Sequence, residues 1–252
     1  VRFASLGSGS RGNATLIHAG DTCVLLDCGF SAREAEYRLA RLGQSPAALT
    51  AVLVTHEHGD HISGVGALAR KYALPVWASA GTLAADRLGE VPAVTEFGSH
   101  ESFALDGLEV TPFPVPHDAR EPCQFVFGDG ARRLGILTDA GSPTAHIAAT
   151  LSGCDALVVE CNHDKALLAN GSYPPVLKAR VGGDLGHLSN AQAAELVATL
   201  DTGRLRHMVA AHLSEKHNTP ALAATALAGA LGCGSEWIGV AHQARGLDWR
   251  EV

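Results

Sequence analysis

A chain of 252 residues, 46% hydrophobic and 18% charged, can bury a sizeable core as one large domain or two small ones, which excludes a disordered segment. No apolar run approaches the ~18 residues needed to span a bilayer, and the N-terminal residues lack a signal-peptide core. The six cysteines are scattered with no CxxC pair, so buried free thiols in the cytoplasm are expected. The formal net charge of −7 alone argues against a polyanionic partner, although two bound divalent cations would concentrate about +4 in one place.

In chain order, strands are expected over 2–6, 14–18 and 22–27, the last two joined by the turn pair Gly20-Asp21. Ser31 with Glu34 forms a capping-box pattern that opens a helix to about Leu42, closed by Gly43. A strand over 51–55 then runs into Thr55-His56-Glu57-His58-Gly59-Asp60-His61, and a helix over 62–72 follows, with Asp60 and His61 at its N-terminus. A strand over 75–79 and a helix over 82–88 come next.

From 93 to 139 the pattern turns to β, with strands over 103–105, 108–115, 124–127 and 133–138 and hairpin signals at Asp106-Gly107 and Asp129-Gly130. The remainder mirrors the first part: a helix from Pro143, a strand over 156–160, a helix from Ser189, a strand over 207–211, a helix from Pro220 and a strand over 236–240. Ser189 with Gln192 is a second capping box, while Pro143 and Pro220 each follow a Ser or Thr as first helical residues. Two β-rich halves with helices outside predict an α/β fold, a four-layer αβ/βα sandwich forming a single domain over residues 1–252.

The heptapeptide at 55–61 is the most informative segment. Three imidazoles and two carboxylates in seven positions, placed on a loop at the end of a buried strand, form a ligand set for zinc that also suits manganese or iron. A solvated polar loop is the alternative, but without a cation these groups would repel one another and stay poorly satisfied. Other strand ends offer matching groups: His117 after Pro114-Val115-Pro116, Asp139 after Ile136-Leu137-Thr138, and His212 after Ala210-Ala211. Each alone reads as a turn or cap residue. Their joint occurrence does not.

In this order the residues resemble the metallo-β-lactamase superfamily pattern H-x-H-x-D-H, then H, D and H. The resemblance implies the metallo-β-lactamase sandwich and two divalent metal ions per chain. His56, His58 and His117 would hold one, Asp60, His61 and His212 the other, and Asp139 would bridge them. Asp27, ending Val24-Leu25-Leu26, matches the aspartate that orients a ligand in that family. Glu57 matches no ligand and is expected to be solvated or structural. The segments Ser5-Leu6-Gly7-Ser8-Gly9-Ser10-Arg11-Gly12-Asn13, Glu160-Cys161-Asn162-His163-Asp164, Gly186-His187-Leu188-Ser189-Asn190 and His212-Leu213-Ser214 are similar to the YycJ/WalJ group, which is linked to metal-dependent 5′→3′ exonuclease activity on DNA. That group often has Asn where this chain has His217. His242 matches no ligand motif.

The implied chemistry is phosphodiester hydrolysis, since two cations ~3.5–4 Å apart can generate a bridging hydroxide and clamp a phosphate for in-line attack. Asp60 would complete the second metal site, and His187 is the candidate proton donor to the leaving oxygen, against a structural role at a helix entry. The 8–13 loop, through Ser8, Ser10 and Asn13, is a candidate phosphate cradle or a plain Gly/Ser turn. Asn162 and His163 are candidate substrate contacts, and Lys178 and Arg180 are either phosphate contacts or solvated surface. Two further readings stand beside the nuclease: a hydrolase of a thioester, lactone or cyclic phosphodiester, and a non-enzymatic metal-binding module. DNA is the expected partner, with no membrane and no obligate protein partner.

Overall fold

The computed structural model describes all 252 residues. The first sheet contains β1 (Arg2–Gly7), β2 (Ala14–Ala19), β3 (Thr22–Leu26), β4 (Ala51–Leu53), β5 (Pro75–Ser79) and β6 (Ala93–Phe97) in spatial sequence. The second runs from β7 (Phe103–Leu105) through β8 (Leu108–Pro114), β9 (Cys123–Gly128), β10 (Arg133–Leu137), β11 (Ala156–Glu160) and β12 (His207–Ala211) to β13 (Gly239–Val240). The last strand, β14 (Leu247–Glu251), returns to pair antiparallel with β1 and completes the first sheet. The helices are α1 (Ala32–Arg41), α2 (Gly59–Ile62), α3 (Val65–Tyr72), α4 (Ala80–Leu83), α5 (Ala145–Leu151), α6 (Lys165–Asn170), α7 (Pro175–Val181), α8 (Asn190–Ala198) and α9 (Pro220–Leu231).

The alternation of side chains along each strand builds the layers. In β3, Val24 and Leu26 face the second sheet, while Cys23 and Leu25 face α1 and α3. In β12, Val209 and Ala211 face the first sheet, while Met208 and Ala210 pack under α8 and α9. One apolar cluster lies between the sheets, with Phe3, Phe125 and Phe127 among its fully buried members, and one lies under each helical layer. Three cores between four layers is the expected sandwich.

Several boundaries differ from the sequence reading. Strand β4 stops at Leu53, because residues 54–58 leave the sheet as the histidine loop. The helix expected over 62–72 is two helices broken at Gly64, whose N–H donates to Cys28 O at 2.8 Å, where a Cβ would fall 1.7 Å from Phe30 O. Helix α4 starts earlier than expected, since the Ser79 side chain caps it by accepting from Thr82 N. Helix α5 is capped by Thr144, which leaves Pro143 outside it. The strand expected over 236–240 shrinks to Gly239–Val240 behind a 3-10 turn over Ser235–Trp237. Helices α6 and α7 and strands β6 and β14 had no sequence counterpart; β6 is mostly exposed and lacks a buried-strand pattern.

The parallel runs β3-β4-β5 and β10-β11-β12 point their carboxyl ends to one edge of the sandwich. Ligand sites form outside such ends. Gly29 lets the chain pass close beneath that edge, because a Cβ there would lie 1.9 Å from the carbonyl oxygen of Asp60. Replacing Gly29 with Ala should therefore lower stability by about 1–3 kcal/mol through backbone displacement. Urea unfolding monitored by circular dichroism checks this; an unchanged midpoint would show that the close approach is not required.

Candidate metal centre

Six of the strands that reach this edge contribute a polar group at or shortly after their ends. Asp27 follows β3, His56 follows β4, His117 follows β8, Asp139 follows β10, Glu160 ends β11 and His212 follows β12. His58 precedes α2, while Asp60 and His61 sit within its single turn. Asp27, Asp139 and His212 have left-handed backbones, with φ of 61°, 52° and 54°. Non-glycine residues pay about 1–3 kcal/mol for such conformations, and these gather at functional sites. The reversal bends the chain just beyond each strand, where these side chains meet at the common edge.

The outer nitrogens of five histidines are occupied by partners that can only accept, or that have already used their own proton. His61 Nδ1 donates to Asp27 Oδ2 at 2.7 Å. Thr55 Oγ1 donates to the same oxygen at 2.8 Å, so it must accept from His56 Nδ1 at 2.9 Å. His117 Nδ1 donates to Gly186 O at 3.0 Å, and His58 Nε2 to Asp118 O at 3.2 Å. His212 Nδ1 lies 3.2 Å from Glu160 Oε1. With its outer nitrogen engaged in this way, each imidazole turns its other nitrogen inward, where it is a ligand whenever it carries no proton.

These inward nitrogens converge on positions that fit a cation. His117 Nε2 and His58 Nδ1 face each other at 3.2 Å, and His56 Nε2 is buried with no partner. His56, His58 and His117 place one ligand atom each within 4.8 Å of one another, as do Asp60, His61 and His212. Asp139 stands between the groups, with Oδ2 3.0 Å from His61 Nε2 and Oδ1 3.6 Å from His212 Nε2 and 3.8 Å from His117 Nε2. Opposed lone pairs and an orphaned buried nitrogen fit divalent metal ions, and three protein ligands per position leave room for water or substrate.

Electrostatics divide the cluster. Burial pushes His56 and His117 below the usual imidazole range, so they are neutral without competition from protons. Burial opposes charge on His212 as well, but Asp139, Asp60 and Glu160 raise it to about 10. His61 is likewise raised by Asp139 and Asp27 against its burial. Protons on these two rings hold together carboxylates that a metal would otherwise neutralise.

Glu160 joins the candidate site, although the reading of motifs left it without a role. It is fully buried; Oε2 accepts from Ala140 N and Leu188 N, both at 3.0 Å, and Oε1 accepts from His187 Nδ1 at 2.8 Å. Burial would raise its pKa, yet His187 and His212 hold it down at about 2. The available signal was a carboxylate ending the otherwise apolar run Ala156-Leu157-Val158-Val159. Glu57 is buried rather than solvated, and its Oε1 accepts from Arg120 N at 2.9 Å.

A cleft of about 320 Å³ opens over the cluster, lined by Ser10, Asp60, Asp139, Asn162, His187 and His212 among others, and by Arg180 at its rim. Ser8, Asn13 and His163 do not line it. Ser8 Oγ accepts from His212 N at 2.8 Å, and Asn13 Nδ2 donates to the Asp60 backbone and approaches His61 Nε2 at 3.1 Å. His163 is buried and pairs through its backbone with Ser189. Arg180 donates to Asp118 at 2.6 Å, and Lys178 donates to Ala169 O. His217 lies apart from the ligand groups, and His242 contacts Arg245 elsewhere. No helix is long and apolar enough to cross a membrane, and five of the six free cysteines are buried.

Comparison with known proteins agrees with this geometry. A beta-lactamase superfamily domain model matches residues 22–212. Exodeoxyribonuclease YycJ of Bacillus anthracis is 38% identical over 231 residues, covering 88% of this chain and 86% of the relative. Exodeoxyribonuclease WalJ of Streptococcus pneumoniae serotype 2 is 35% identical over 230 residues, covering 88% and 85%. Among solved structures, the metallo-beta-lactamase fold protein YhfI from Bacillus subtilis matches 100% of this chain and 98% of its own at a TM-score of 0.77 and 18% identity. The short form of human tRNase Z matches 100% and 99% at 0.70 and 17%. At such identities the structural matches speak for the fold.

Two outcomes follow from the hydrogen-bonded shell. Substituting Gln for Glu160 should weaken divalent-metal affinity about 10- to 100-fold while the chain stays folded, as measured by chelator competition. Metal must also displace the protons on His61 and His212, whose pKa values are raised, so loading at neutral pH should release about two protons and tighten as pH increases. Titration calorimetry in buffers of different ionisation enthalpy reads that number; no proton release would contradict the assigned charge states.

Proposed function

The chain belongs to the beta-lactamase superfamily domain family, and from that premise we propose that it is a metal-dependent exodeoxyribonuclease hydrolysing the phosphodiester bonds of DNA from the 5′ end. The observation that carries the reading is the pair of inward-facing ligand groups spanned by Asp139, set at the floor of an open cleft. The exonuclease relatives, similar over most of the chain, supply DNA as the substrate class.

In this reading His56, His58 and His117 hold one divalent ion, Asp60, His61 and His212 a second, and Asp139 faces both. Zinc or manganese suits the nitrogen and oxygen donors, as does iron. Bound metal supplies Lewis acidity for the scissile phosphate and lowers the pKa of the attacking water. The protein's own groups do the rest. Asp27 and Glu160 hold His61 and His212 in their ligating orientation. Asp60, the more open carboxylate, faces the cleft and can take a proton from water. Glu160 occupies His187 Nδ1, which leaves Nε2 as the nitrogen that passes a proton to the leaving oxygen. Ser10, Asn162 and Arg180 line the cleft as phosphate contacts, while Ser8 and Asn13 steady His212, Asp60 and His61 from behind.

Metal analysis of the loaded chain should find about two divalent ions, and Asp139→Ala or His58→Ala should abolish hydrolysis. A His187→Ala variant should retain metal yet lose about 10²- to 10⁴-fold in kcat. The deciding assay sets 5′-phosphorylated DNA beside a generic phosphodiester and a thioester with Mn²⁺ or Zn²⁺. Turnover of the thioester alone would overturn the nuclease assignment.

A further inference from the structure

The lip above the ligand cluster carries side chains to which the proposed hydrolysis, Arg180 apart, gives no role. It consists of α6, the turn over 171–174 and α7, facing the loop over 213–218. Tyr173 lines the same cleft as Asp60, Asp139 and His212. Its ring meets that of His217 edge-on, with centroids 4.2 Å apart and planes at 73°. His217 is 1% exposed, and a Cβ at Gly171 would fall 2.2 Å from its Nε2, so the turn carrying Tyr173 is built directly onto this imidazole. The Lys216 ammonium sits 5.3 Å from the Tyr173 centroid.

Charge is concentrated on the same lip. The chain has four lysines, and Lys165, Lys178 and Lys216 all lie on these segments. Arg180 adds a guanidinium at the cleft, tethered by Asp118. In a chain of net charge −7 this is a local departure from the acidic background. An aromatic ring with cations on the same segments is the combination that binds single-stranded nucleic acid, where bases stack and cations track the backbone.

We infer that Tyr173, braced by His217 and Lys216, is a stacking platform for the terminal nucleobase, so that the chain takes a DNA end whose last nucleotide is unpaired. This rests on the nuclease reading. The cleft, about 320 Å³, has the volume of a small-ligand pocket. Stacking tolerates every base, so the platform selects for strand separation and not for sequence.

The test uses the metal-loaded protein and a 5′-phosphorylated single strand with phosphorothioate linkages, which block turnover, and 2-aminopurine as its first base. Wild type should quench the fluorophore by stacking, and Tyr173→Phe should do the same. Tyr173→Leu, which keeps the apolar bulk, should lose the quench and bind about tenfold more weakly. Metal content and circular dichroism establish that each variant is folded. Lys216→Gln should lower the slope of log Kd against log salt by about 0.7. Quenching by Tyr173→Leu equal to wild type, or its loss in Tyr173→Phe, overturns the platform while leaving the nuclease standing. A wild-type chain that neither binds nor cleaves DNA overturns both.

Discussion

The structure depends on turning five imidazoles so that one nitrogen of each faces inward, a ligand once it carries no proton. Each ring is held from outside by one hydrogen bond, and the acceptors come from different parts of the chain: Asp27 and Thr55 from the first sheet's edge, Asp118 and Gly186 from loops, and Glu160 from the second sheet. A neutral imidazole has one donor and one acceptor, so fixing the outer nitrogen as donor fixes the inner one as ligand. The enthalpy of these outer bonds is modest, but they remove the rotational and tautomeric freedom that would otherwise oppose metal binding. Asp27 is central among them, because its two oxygens take Thr55 N, Thr55 Oγ1 and His61 Nδ1 together.

The sandwich explains how residues nearly 200 positions apart can share one site. Strands from both sheets end at a common edge, and left-handed residues at Asp27, Asp139 and His212 bend the chain there. The cost of those conformations is carried by the large apolar cores, which leave the strands no freedom to relax. Gly29 and Gly64 serve the same end by letting backbones approach where a side chain would collide.

An acidic protein that acts on a polyanion needs its positive charge placed, not abundant. Here the ligand cluster would place it once metal is bound, and Lys165, Lys178, Lys216 and Arg180 place it on the lip. The bulk charge therefore says little about the substrate. The distribution says more.

Much of the candidate site was legible along the chain. His56, His58, Asp60 and His61 are adjacent in sequence, and His117, Asp139 and His212 each follow an apolar strand, so local pattern located them. The alternating strands and capped helices also carried the four-layer sandwich. Glu160 was invisible as a partner, because the hydrogen bonds that define it reach His187 and Leu188, which are remote in sequence, and a carboxylate at a strand end has no local mark. Ser8, Asn13 and His163 were placed by motif, yet burial turned their side chains away from the cleft. His217, which departs from the Asn of the resembling group, packs its ring against Tyr173. Sequence determined which groups the chain offers and where each strand releases them, since both follow from short-range periodicity. Only the tertiary structure decided which nitrogen faces inward, which carboxylate orients it and which ring lines the cleft, because those depend on contacts between segments that the packing of two sheets brings together.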